Sequence, residues 1–134
     1  PLFMSPEQAS GDDSIDARSD IYSLGAVMYY MLTGQPPFNA DNPLKVMIAH
    51  ASQEVTPPRR INPEIPAELE EIVLRCLEKD PEHRFQSVSD LRTALRDLVL
   101  EDQWSSDLAA KWWNCNGCPE RKKLAAEAVE AAAV

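Results

Sequence analysis

IYSLGAVMYYML, residues 21–32, decides the fold. Every position in it except Ser23 and Gly25 is apolar or aromatic. A helix with that pattern is apolar all round and has to be covered on every side. The stretch falls short of the roughly 20 residues that a bilayer span needs, so it reads as a buried helix of a globular protein. Gly34 stands where a helix stop belongs. Gly25, inside the helix, costs about 1 kcal/mol against alanine. Its use is the close approach of a neighbouring segment; the plainer reading is a glycine that is merely tolerated.

Working outward, Ser5-Pro6-Glu7 reads as a helix start, with Ser as N-cap, Pro at the first helical position and an acid near the positive end of the dipole. That helix is short, because Gly11-Asp-Asp13 follows. Gln35-Pro-Pro-Phe38 reads as a turn with an anchoring aromatic, and residues 43–51 as a third helix. Thr56-Pro-Pro58 through Pro66 is a proline-punctuated loop that no helix crosses. Leu69, Ile72, Val73, Cys76 and Leu77 then form one apolar stripe, predicting a helix over 67–79 that ends at Asp80-Pro81. Ser87-Val-Ser-Asp90 resembles a capping box, with Val88, Leu91, Leu95, Leu98 and Val99 on one face of the helix it opens. No alternating run of β-branched residues occurs, so the fold class is mainly α.

The chain has 134 residues, 44% hydrophobic and 26% charged, as an ordinary globular protein has. A net charge of −9 argues against binding nucleic acid or an anionic membrane, which relies on clustered Lys and Arg. Residues 1–10 lack the basic region of a signal peptide, and no stretch is a membrane segment. Cys76, Cys115 and Cys118 make no disulfide scaffold and suit a reducing, cytoplasmic setting.

Four short motifs follow in order: Ser5-Pro6-Glu7, Asp20-Ile-Tyr-Ser-Leu-Gly25, Pro37-Phe38 and Leu77-Glu-Lys-Asp-Pro-Glu-His-Arg84. Together they resemble the C-terminal part of the large lobe of a protein kinase, in particular the bacterial serine/threonine kinases of eukaryotic type. The first is similar to the family's Ala-Pro-Glu signature, with Ser5 in place of Ala. The resemblance spans residues 1–100 and makes them a partial kinase domain, leaving 101–134 as a helical tail of unknown role.

The resemblance implies a job for each motif. Glu7 is expected to pair with Arg84, whose planar fork holds a carboxylate bidentately. Asp20 is expected to start the central helix and to accept hydrogen bonds from the catalytic loop. Gly25 joins these as an organising residue, and Tyr22 stands where kinases often carry Trp. Pro1, Leu2 and Phe3 would wall the pocket for the substrate residue after the phosphorylated one. Phe3, where tyrosine kinases usually have Trp, leans toward serine/threonine specificity. Protein substrates are the implied partners.

Kinase chemistry is positioning plus electrostatics on ATP and magnesium. Its glycine-rich loop, His-Arg-Asp and Asp-Phe-Gly motifs do not occur in residues 1–134, so no catalytic residue and no metal ligand is expected in this chain. In the family these motifs precede the position of Pro1, so PLFMSPEQ reads as an interior stretch of a longer kinase. The alternative is a non-catalytic, kinase-derived scaffold or interaction module. In the tail, Cys115-Asn-Gly-Cys118 has the spacing of half a zinc site or a redox pair, or holds two incidental thiols. Trp104, Leu108 and Trp112 stand at i, i+4 and i+8 on one side of a short helix, and the cluster Trp104, Trp112 and Trp113 reads either as that helix packing on the lobe or as a ligand cage.

Overall fold

A computed structural model describes residues 1–13, 15–99 and 105–117. They fall in two compact units, Pro1–Val99 and Leu100–Val134. Helices and short 3-10 turns make up the regular structure, and no strand occurs among the described residues.

Ser5 caps α1 (Pro6–Ser10) with a reciprocal capping box. Its hydroxyl accepts from the Gln8 N–H at 3.3 Å while its own N–H donates to Gln8 Oε1 at 3.0 Å. The central helix α2 (Ala17–Thr33) starts earlier than Asp20. Asp16 is its N-cap, accepting from the Arg18 N–H at 2.8 Å, and the Arg18 guanidinium holds the same carboxylate at 2.8 Å. Asp20 lies a turn further on, where an acid still favours the dipole but caps nothing. Gly34 closes the helix in the left-handed region at φ 76°, its N–H donating to Tyr30 O at 2.8 Å.

Helix α3 (Pro43–Ser52) follows the cap Asn42, and α4 (Ala67–Cys76) follows Pro66. The stripe on α4 predicts a helix reaching residue 79, and the structure ends it at Cys76. The reason is local: the last N–H bonds tighten, Glu78 N–H reaching Arg75 O at 3.5 Å, and the Glu78 and Lys79 carbonyls then accept from Arg84. Ser87 caps α5 (Val88–Arg96), accepting from the Asp90 N–H at 3.1 Å. Of the five apolar residues assigned to its face, Leu91 is buried and Leu95 and Leu98 are half-buried. Val88 and Val99 are exposed, because α5 ends before Val99 and Val88 stands at its opening.

The core lies between α2 and α4. Ile21, Ile72, Cys76, Phe85 and Leu91 form one cluster, and Tyr22, Ala26, Tyr29, Val73 and Leu77 the other. Gly25 is where the two helices meet: a Cβ there would stand 2.5 Å from Cys76 Cβ. A methyl at that point needs a shift of backbone, since neither Cβ can rotate away.

In the second unit, Ser105 caps α6 (Ser106–Asn116). Leu108, Trp112 and Trp113 are exposed, and the two indoles meet edge to face at 5.1 Å. Trp104, Cys118 and the alanine-rich residues 124–134 lie outside the described residues. No helix of the described residues is long and apolar enough to cross a membrane.

Candidate functional site

Arg84 is fully buried, and all five of its guanidinium N–H groups have acceptors. Nη1 and Nη2 donate to the two carboxylate oxygens of Glu7 at 2.8 and 2.9 Å, a bidentate pair. Nη1 also donates to Arg18 O at 3.0 Å, Nε to Glu78 O at 2.8 Å and Nη2 to Lys79 O at 3.0 Å. One side chain thereby ties α1, the first turn of α2 and the segment after α4. The guanidinium also lies over the Tyr22 ring, 4.9 Å from its centroid.

Glu7 receives a further hydrogen bond from Ser19 Oγ at 2.5 Å. Burial pushes the Glu7 carboxyl upward, but hydrogen bonds from Arg84 and Ser19 and the Arg84 charge outweigh it and hold the pKa at about 2. The Glu7 carboxylate is therefore charged at every physiological pH.

A second buried polar centre stands beside the first. His50, fully buried on α3, lies with Nε2 3.1 Å from Leu2 O and Nδ1 2.9 Å from the Tyr22 hydroxyl. A carbonyl only accepts, so Nε2 carries the proton and the Tyr22 hydroxyl donates to Nδ1. Burial and the nearby Lys79 charge push the His50 pKa down, against the Leu2 carbonyl, to about 4. The ring is neutral, and Phe38 packs edge-on against it at 5.0 Å.

Lys79 reaches back across this centre. Its ammonium donates to His50 O at 2.8 Å, satisfying the last turn of α3, and lies 4.4 Å from the Phe38 centroid. Burial, with Arg84 nearby, lowers its pKa to about 8.

The residues singled out in the sequence thus fall into three places. Glu7 and Arg84 meet in the buried pair, and Gly25 stands in the α2–α4 contact. Pro1 and Leu2 are exposed and Phe3 is half-buried, its ring edge-on to Tyr30 at 6.0 Å. Asp20 is exposed and joins none of these groups.

The sequence reading passed over Ser19, His50 and Lys79. A signal for His50 was present: it lies four residues after Val46, and those two are the buried positions of α3. A histidine on an apolar stripe has to find partners for both ring nitrogens.

These buried bonds tie the turn at residues 1–4 and α1 to the helical unit, and the sequence comparisons give the chain a family. The family profile described as protein kinase domain matches residues 1–96. The chain belongs to the protein kinase family. It is 46% identical over 93 residues to the serine/threonine-protein kinase PknB of Mycobacterium tuberculosis, covering 69% of this chain and 15% of that protein. A probable serine/threonine-protein kinase of Streptomyces coelicolor is 46% identical over 101 residues, covering 75% and 15%. One from Clostridium acetobutylicum is 41% identical over 96 residues, covering 72% and 14%. The chain spans about 15% of the length of these relatives.

Kinases of this family use ATP and magnesium. Among the described residues no three His, Cys, Asp or Glu side chains come together as ion ligands. The buried carboxylate of Glu7 is already taken up by Arg84 and Ser19. The described residues supply no such set of ligands for a nucleotide–magnesium group.

Proposed function

We propose that the chain is the substrate-side part of a serine/threonine protein kinase that, complete, transfers the γ-phosphate of ATP to protein Ser and Thr hydroxyls. The observation that carries this reading is the strap on residues 1–7. Glu7 is clamped bidentately by a buried arginine 77 positions later, while Leu2 O is held from α3. An exposed segment held this rigidly at its base is a surface for binding an extended peptide.

In this reading Pro1, Leu2 and Phe3 wall the pocket for the residue after the acceptor hydroxyl. Phe3, lacking the bulk of Trp, accords with serine/threonine acceptors. Glu7, Gly25 and Arg84 organise the lobe, and the exposed carboxylate of Asp20 is available to the catalytic loop. ATP and magnesium bind to residues of the complete kinase outside 1–134, so the chain alone transfers no phosphate. The kinase domain works in the cytoplasm, in keeping with unpaired cysteines such as the buried Cys76.

The test uses radiolabelled ATP and a Ser/Thr peptide library with two proteins: the complete reading frame and residues 1–134. The complete protein is expected to label serine and threonine, and the chain alone nothing. A complete protein that labels nothing favours the scaffold reading; labelling by the chain alone overturns the assignment of catalysis to residues outside it.

A further inference from the structure

The chain Tyr22 hydroxyl to His50 to Leu2 carbonyl runs in one direction. The hydroxyl on α2 donates to Nδ1, which leaves Nε2 to donate to the backbone of residue 2. The imidazole cannot rotate without losing a bond at each end. Phe38 packs against the ring and Lys79 grips the carbonyl of the same residue, so the base from which Nε2 points is fixed as well.

The backbone of residues 1–3 has few other ties. Pro1 O accepts locally from the Met4 N–H at 3.2 Å, and the Phe3 ring touches Tyr30. Among the described residues, the His50 bond is the one hydrogen bond joining that backbone to a helix. The bond satisfies a buried ring nitrogen and in the same contact anchors the backbone of this exposed segment.

We propose that His50 is a positioning residue for the substrate-facing segment Pro1–Phe3, so that its N–H to the Leu2 carbonyl sets the selectivity for the residue following the acceptor hydroxyl. This rests on the reading of Pro1–Phe3 as the pocket wall. His50 itself touches no reacting group; it acts through the backbone of Leu2.

The experiment uses the complete kinase and a threonine-acceptor peptide library varied one position at a time, with kcat and KM measured for the preferred peptide and for ATP. In His50→Ala the peptide KM rises about tenfold and selectivity after the acceptor flattens, the scale of one lost hydrogen bond. The ATP KM, kcat and selectivity at other positions stay unchanged. His50→Gln, whose amide N–H takes the place of Nε2–H, restores most of the selectivity. Tyr22→Phe keeps the ring packing but frees the tautomer, and weakens selectivity by about threefold; it carries the test if the alanine variant does not fold.

Selectivity that survives in both His50→Ala and Tyr22→Phe overturns the proposal. So does a loss spread evenly over kcat and every peptide position, which is the mark of a merely structural role. A wild-type kinase indifferent to the residue after the acceptor overturns the pocket-wall reading and this inference with it. An inactive complete protein overturns the kinase reading from which both descend.

Discussion

On its inner face α2 carries Ile21, Tyr22, Gly25, Ala26 and Tyr29, all buried against α4 and the Arg84 centre. On its outer face Leu24, Val27 and Met31 stand exposed, Met31 at 77%. The two faces are almost equally apolar in sequence, yet one is locked by packing and polar bonds and the other meets water. Hydrophobicity alone therefore does not place a helix face; what decides is whether a partner of matching shape and charge is at hand. The inner face has a glycine that admits a neighbouring helix, and it packs against Arg84, whose every donor is satisfied. The comparison can be broken from either side.

Breaking the inner face at Arg84 has the largest expected effect. Arg84→Met leaves the buried Glu7 carboxylate without its counter-charge, and Glu7→Gln leaves the guanidinium so, each at a cost of about 3–5 kcal/mol. Denaturant midpoints of the single variants check this. The double variant is expected to lose less than the sum, because neither charge is then stranded. Arg84→Lys keeps the charge but has three donors for five acceptors, and is expected to lose about 2 kcal/mol or more.

Acid attacks the same face through two groups at separate pH values. His50 has its folded pKa depressed from 6.5 to about 4, so the unfolded chain takes the proton first as pH falls. Stability is intact above about 6.5, declines through that window and flattens below about 4, a loss of about 3 kcal/mol. Glu7, depressed from 4.5 to about 2, contributes stability above 4.5 that is lost as pH falls toward 2, again about 3 kcal/mol. Denaturant titrations from pH 7.5 to 3 are expected to show the first decline in wild type and not in His50→Gln.

Gly25→Ala comes next. Helix propensity favours alanine by about 1 kcal/mol. Against it, the new methyl would stand 2.5 Å from Cys76 Cβ, a contact between two atoms fixed to backbone. Overpacking of this kind costs about 1–3 kcal/mol, so the net change is destabilising. A thermal midpoint equal to or above wild type would show that α2 and α4 separate readily and that the glycine was only tolerated.

How much of this could be read beforehand depended on whether a feature was local. The caps at Ser5 and Ser87, the stop at Gly34 and the stripe on α4 are short-range patterns, and the structure follows them. Where α2 begins was misread because two acids, Asp16 and Asp20, compete for the cap, and the arginine at 18 decides between them. The end of α4 was misread because Arg84, five and six residues on, takes the Lys79 and Glu78 carbonyls, a demand that apolar periodicity does not register. The meeting of Glu7 with Arg84 was legible only through a family resemblance. The burial of His50 had a signal in its spacing from Val46, but its partners had none, since one of them is a backbone carbonyl.

The smallest stability effect belongs to the outer face of α2, and its smallness is what makes it informative. Met31→Glu and Leu24→Glu place a charge where water already is, so the unfolding free energy of the chain should change by no more than about 0.5 kcal/mol. Binding of an apolar dye to the folded chain should fall in the same variants, because the exposed patch is what the dye would occupy. In the complete kinase the same substitutions should be far more damaging if another part of the protein covers this face, since they would then bury an unpaired carboxylate. Equal, small effects in the chain and in the complete kinase would show that the outer face stays in water. The contrast between the two faces of α2 would then be a permanent feature of the lobe, not one that the rest of the kinase removes.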